Sequence, residues 1–221
     1  MSSTAPDHGG RPAASEQSIT ATQELDSMGR APEGVRGYAP RQVEDFVRAC
    51  EESLRAVEAG GEPRVASVDV RGKAFEAEEG GYDVADVDSM LDFYEDRLAR
   101  AECARFAAEH GRPALQARAE ELAGLVMGRL HRGEGERFRR PAGSKRALGY
   151  FAGDVDRLCE ELLAYFAAAD RLSPRPLRDA AFRLASGRTA YDEAQVDAFM
   201  ARVGELIQTL RWSDAYSAED R

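Results

Sequence analysis

A pattern that recurs four times constrains this chain more than anything else in it. Counting forward from Tyr38, Tyr82, Tyr150 and Tyr191, the fifth position is Val43, Val87, Val155 and Val196, and the sixth is Glu44, Asp88, Asp156 and Asp197. The eighth position holds Phe46, Met90, Leu158 and Phe199, the ninth Val47, Leu91, Cys159 and Met200, and the twelfth Cys50, Tyr94, Leu162 and Val203. Steps of three and four put these residues on one face of a helix. Stripes this short do not hold an isolated helix in water, so each must be buried against another copy or against a partner.

Start and stop signals set the limits of the elements. Asp83 and Asp192 stand where an N-cap belongs, with Asp86 and Gln195 three residues later in a capping-box-like arrangement. Pro40 occupies the first turn of the first copy, and Gly60-Gly61 and Gly111 act as stops. Helices are predicted over 40–59, 84–110, 152–170 and 193–211, with a connecting helix over 114–131. Upstream of the tyrosines lie apolar anchors: Val70 and Phe75 before Tyr82, Leu177 and Phe182 before Tyr191, and Phe138 before Tyr150, with none evident before Tyr38. The tyrosines are expected to pack over the helix starts with the hydroxyl bonded to a neighbouring polar group. The acid after each valine gains from the positive end of the helix dipole. The motif residues, Asp83 and Asp192 included, are therefore expected to serve structure.

With 43% hydrophobic and 32% charged residues in 221, the chain can bury a core in one or two small units. Residues 1–34, rich in small and polar types, are expected to form a disordered tail; 35–111 carry repeats one and two, 112–211 a connecting helix with repeats three and four, and 212–221 a C-terminal tail. A formal charge of −10 argues against nucleic acid as a partner, because phosphate binding relies on clustered cations. No run approaches the eighteen apolar residues of a membrane span and the start lacks a signal-like apolar core, so the expected compartment is the cytoplasm. Cys50, Cys103 and Cys159 form no CxxC pair, and His8, His110 and His131 have no partner at ligand spacing. No metal, cofactor or catalytic constellation is expected.

The segments "LSPRPLRDAAF…AYDEAQVDAFM" and "KAFEAEEGGYDVADVDSML" resemble the N-terminal domain of DivIVA-type proteins. The resemblance covers most of residues 35–211 and suggests a DivIVA-domain repeat protein of high-GC Gram-positive bacteria. It implies a mainly α fold of four anchor-turn and amphipathic-helix repeats, packed as a helical bundle or coiled coil. It also implies a non-enzymatic scaffold, with protein partners, at the septum or cell pole during division or polar growth. Domains of that family pair, so the copies here are expected to form a homodimer or to pair within the chain. The alternative is a soluble accessory or regulatory helical subunit without membrane targeting. The family touches membranes through the tip before Gly-Tyr-Asp; here that tip is acidic in copy two (Glu76, Glu78, Glu79) and basic but without an aromatic in copy four (Arg183, Arg188). A separate basic stretch, with Arg137, Phe138, Arg139, Arg140, Lys145 and Arg146, is the expected contact for a membrane or an acidic partner. The competing reading makes Phe138 the buried anchor of the third copy.

Overall fold

The computed structural model describes Leu25, residues 27–143, 146–168, Leu177 and 180–219, with side chains through Ser213. The described residues are mainly helical, with two small antiparallel sheets. In order they are β1 (Arg36–Tyr38), α1 (Pro40–Glu58), α2 (Ser67–Arg71), β2 (Ala77–Glu79), α3 (Val84–His110) and α4 (Arg112–Leu130). There follow β3 (Leu148–Phe151), α5 (Ala152–Ala168), β4 (Leu184–Ser186), β5 (Ala190–Tyr191) and α6 (Glu193–Glu219). β1 pairs with β2, and β3 lies between β4 and β5.

The five long helices fall where periodicity and capping place them, but both ends of the chain differ from expectation. Residues 28–34 are not all tail. The Ala31 amide donates to the Gly81 carbonyl at 2.9 Å, Arg30 bridges to Tyr82, and Leu25 and Met28 lean on the core. At the other end α6 continues through Glu219, because no Gly or Pro interrupts it and Trp212 lies beneath the guanidinium groups of Arg100 and Arg211. Residues 212–219 are thus helix and not tail.

Two clusters form the core. The first gathers the stripes of α1 and α3 (Val43, Val47, Cys50, Val87, Met90, Tyr94), and the second those of α5 and α6 with one side of α4 (Val126, Leu130, Val155, Leu162, Val196, Phe199, Val203). All four motif valines are 0% exposed. Of the α6 stripe only Met200 remains half-buried.

The copies pair within the chain. Tyr38 lies opposite Tyr82, and Tyr150 opposite Tyr191, each in an antiparallel bridge at the mouths of two helices. The approach is close enough to require glycine: a Cβ on Gly37 would lie 2.1 Å from the Tyr82 carbonyl oxygen, and one on Gly149 2.1 Å from that of Tyr191. Backbone cannot yield as a flexible side chain does, so Gly149→Ala is expected to destabilise the protein beyond the ~1–3 kcal/mol typical of overpacking. A urea melt with an unchanged midpoint would show that the strands can part freely.

The two pairs join where α3 meets α6. Arg71 pairs with Glu95, whose side chain is 1% exposed, and packs against Gly204, where a Cβ would collide with the guanidinium. Gln208 Nε2 donates to Asp96 at 2.8 Å, and Arg211 bonds the same carboxylate at 2.9 Å.

Candidate functional site

The co-recurrence of tyrosine and acid has a cause that spacing within one copy does not reveal. Each tyrosine is turned to the acid of the copy paired with its own. The Tyr82 hydroxyl donates to Glu44 at 3.1 Å, and the Tyr38 hydroxyl is held by Asp88. In the second pair Tyr191 donates to Asp156 at 3.0 Å and Tyr150 faces Asp197. Burial first, and the adjacent carboxylate second, push the Tyr38 and Tyr150 hydroxyls up in pKa, and Tyr191 is pushed up to about 12. The Tyr191 hydroxyl therefore keeps its proton, and donates, at neutral pH. The acids serve the neighbouring copy as well as their own helix dipole.

A second set of bonds repeats in all four copies. The amide after each tyrosine donates to a carbonyl of the paired copy: Ala39 to Glu76, Asp83 to Gly29, Phe151 to Arg183 and Asp192 to Arg139, at 2.7–3.0 Å. The side chain four residues after each tyrosine accepts the amide of that same partner residue. Gln42 takes Glu76, Asp86 takes Gly29, Asp154 takes Arg183 and Gln195 takes Arg139, at 2.8–3.1 Å. Asp83 caps α3 as expected, accepting from the Ala85 and Asp86 amides, and Asp192 accepts from the Gln195 amide. The Asp86 and Gln195 side chains, however, do not complete a capping box. They are used across the pair.

The residue before each of these partner positions is the anchor. Phe75 packs against Tyr38 and Phe46, Phe182 against Tyr150, and Phe138 against Tyr191 and Phe199, with centroids 5.1–5.9 Å apart. By the same bonds Met28 is the anchor of the first copy. Methionine in place of phenylalanine, at a different distance from its tyrosine, concealed it; the signal that could have found it is the Arg shared by Met28-Gly29-Arg30 and Phe138-Arg139-Arg140. Arg30 lies over the Tyr82 ring at 4.1 Å and Arg140 over Tyr191 at 5.1 Å.

The basic stretch is corrected at its centre. Arg137 and Phe138 are 2% and 5% exposed, so neither lies on a surface that could meet a membrane. Arg137 is drawn inward by acids of α5: it bonds Asp156 at 3.1 Å, pairs with Glu160, and donates to the Leu130 carbonyl. Phe138 is the buried anchor. Arg139, Arg140 and Arg146 are exposed, Arg140 bonding the Ala190 and Gly135 carbonyls. Lys145 lies outside the described residues.

Removing single hydroxyls measures the latches. Tyr82→Phe, in a half-buried bond, is expected to cost about 1 kcal/mol, and Tyr191→Phe more, up to ~3 kcal/mol, because Asp156 is buried and loses an acceptor bond. Equal effects in a denaturant titration would show that the two pairs are held alike.

A cavity of about 300 Å³ lies between α2, α3, α4 and α6, lined by Ala99, Phe106 and Leu115 and by Glu102, Arg118 and Glu205. The Ser67 amide and hydroxyl donate to Glu102 at 2.9 and 2.7 Å, and Arg118 bonds Glu205 at 2.6 Å, whereas Arg71, which also lines it and pairs with Glu95, leaves its buried Nε and Nη1 without a hydrogen-bond partner. Burial pushes the Cys103 thiol beside the cavity up to about 11, which keeps it protonated at neutral pH. Burial holds Cys50 and Cys159 up at about 12. Among the described residues no three His, Cys, Asp or Glu side chains are grouped to hold a metal ion, and no helix is long and apolar enough to cross a membrane.

No family model, curated protein or solved structure matches the chain.

Proposed function

We propose that the protein is a non-enzymatic scaffold of the DivIVA-repeat kind, acting with protein partners in cell division or polar growth from the cytoplasmic side of the septum or pole. The observation that carries the reading is the reciprocal exchange of tyrosine and carboxylate between paired copies, made twice. Holding pairs of helices together by such specific contacts suits a molecule whose work is to present surfaces. The two small sheets at the helix mouths are the surfaces it presents. In this reading each pair of copies does within one chain what two chains do in a dimeric relative.

A second reading, a soluble accessory or regulatory subunit without membrane targeting, is favoured by the acidic first sheet and by the burial of Phe138. Imaging a tagged protein at native level in its host separates them. Foci at septa or poles support the scaffold, and diffuse signal that follows a soluble partner supports the second. Recovery of metabolic enzymes alone after cross-linking, with diffuse signal, would overturn both.

A further inference from the structure

The cavity at the junction is walled by both halves of the molecule, by α2 and α3 from the first and by α4 and α6 from the second. Its volume of about 300 Å³ is room for roughly ten waters, or for an organic molecule of about as many non-hydrogen atoms, at the lower end of the range for ligand pockets. Val68, 45% exposed, and the exposed Arg202 stand at its mouth, while Ala99, Leu115 and the half-buried Phe106 give it an apolar wall. Most of its polar groups are engaged: Ser67 with Glu102, Arg118 with Glu205, and the Thr209 hydroxyl with the Glu205 carbonyl at 2.8 Å. Arg71 differs. Its Nη2 donates to Glu95, but Nε and Nη1 are buried without an acceptor. Among the described residues two other buried side-chain atoms share that condition, on Arg105 and Trp212, and neither residue lines this cavity. Gly204 admits the guanidinium to the junction, since a Cβ there would stand 1.3 Å from Nη1.

We infer that the cavity binds a small neutral compound with an apolar body and a carbonyl-type oxygen, of the lactone, ketone or ester class, and that this oxygen accepts from Arg71. The ligand is neutral because Glu95, whose side chain is 1% exposed, already compensates the guanidinium charge; the free N–H groups lack a lone pair and not a counter-charge. The lining itself also disfavours an anion. Glu102 and Glu205 stand in it, and burial raises the pKa of the Glu102 carboxyl and of the Cys103 thiol. The body is apolar because Ala99, Phe106 and Leu115 offer it contact area and no side-chain hydrogen bond. Because the walls belong to both halves, an occupant ties α2 and α3 to α4 and α6 and stabilises the junction by mass action. The site stands apart from the scaffold reading and does not depend on it.

Amide shifts of the isotope-labelled full chain, titrated with γ-octalactone, butylbenzene and octanoate, test this. The three probes are alike in size, with about ten non-hydrogen atoms each, and differ in acceptor and charge. The lactone is expected to give saturable shifts centred on Ala99, Cys103, Ala201 and Thr209, and to bind at least about tenfold more tightly than either of the others, as one buried hydrogen bond to a charged donor provides. Arg71→Met with Glu95→Gln removes the free N–H groups and leaves no lone charge, so lactone affinity should fall to that of butylbenzene. Ala201→Leu, which puts a larger side chain into the cavity, should abolish lactone binding without lowering the melting temperature. The comparison of probes on the wild type is decisive without either variant. No saturable shift with any probe, a cavity that holds water only, overturns the proposal. So does a lactone preference below about tenfold, which marks selection by shape alone. Tightest binding of octanoate, which would make this a site for anions, overturns it too, as do lactone shifts that persist in Ala201→Leu.

Discussion

Arg137→Ala is expected to lower the free energy of unfolding by about 3–5 kcal/mol, because it leaves Asp156 as an uncompensated charge in the interior. The Arg137 and Asp156 side chains are 3% and 8% exposed, and Asp156 also receives the Tyr191 hydroxyl and the Gly135 amide. The guanidinium reaches further, to Glu160 and the Leu130 carbonyl, so its loss frees acceptors on two elements. Arg137→Met combined with Asp156→Asn should recover part of the loss, since no lone charge then remains and the asparagine still accepts from Tyr191. Urea midpoints of the two proteins decide it. A single variant with the wild-type midpoint would mean that Arg137 faces water.

Phe138→Ala is expected to cost a similar ~3–5 kcal/mol, the range for emptying an aromatic site in a packed core. Phe138 lies edge-on to Tyr191 at 5.2 Å and to Phe199 at 5.3 Å, and the guanidinium of Arg129 covers it at 5.4 Å. Its neighbours in sequence provide the contrast. Arg139→Ala and Arg146→Ala, at exposed positions, should move stability by no more than about 0.5 kcal/mol. Thermal melts showing all three variants alike would return Phe138 to the surface.

What could be known before the fold was known follows from where the information lies along the chain. The helices of residues 40–58 and 84–110 are legible because stripe, cap and stop all lie within the element itself. The Tyr82–Glu44 and Tyr191–Asp156 bonds are not, since each joins residues that nothing local relates. The sequence presents tyrosine and acid six positions apart in one copy, while the bond runs to the other copy. The basic stretch around Arg137 misleads for the same reason: seven cations in eighteen residues look like a surface, and only the carboxylates arriving from α5 turn one of them inward. Leu148 and Leu184, each 63% exposed, share a face with Tyr150, which packs against the core, and a four-residue strand has too few alternations to show where along that face burial ends.

Pairing two copies inside one polypeptide also changes how the pair responds to abundance and to mutation. Between separate chains, pairing obeys mass action and weakens on dilution; between segments of one chain, the second copy is present at an effective concentration in the millimolar range whatever the amount of protein. A protein present in few molecules per cell would keep both pairs formed. In a homodimer, moreover, every substitution is imposed on both partners by symmetry. Here Glu79, opposite Arg36, and Ser186, opposite Leu148, occupy matching places and differ, so one molecule carries two unlike small sheets.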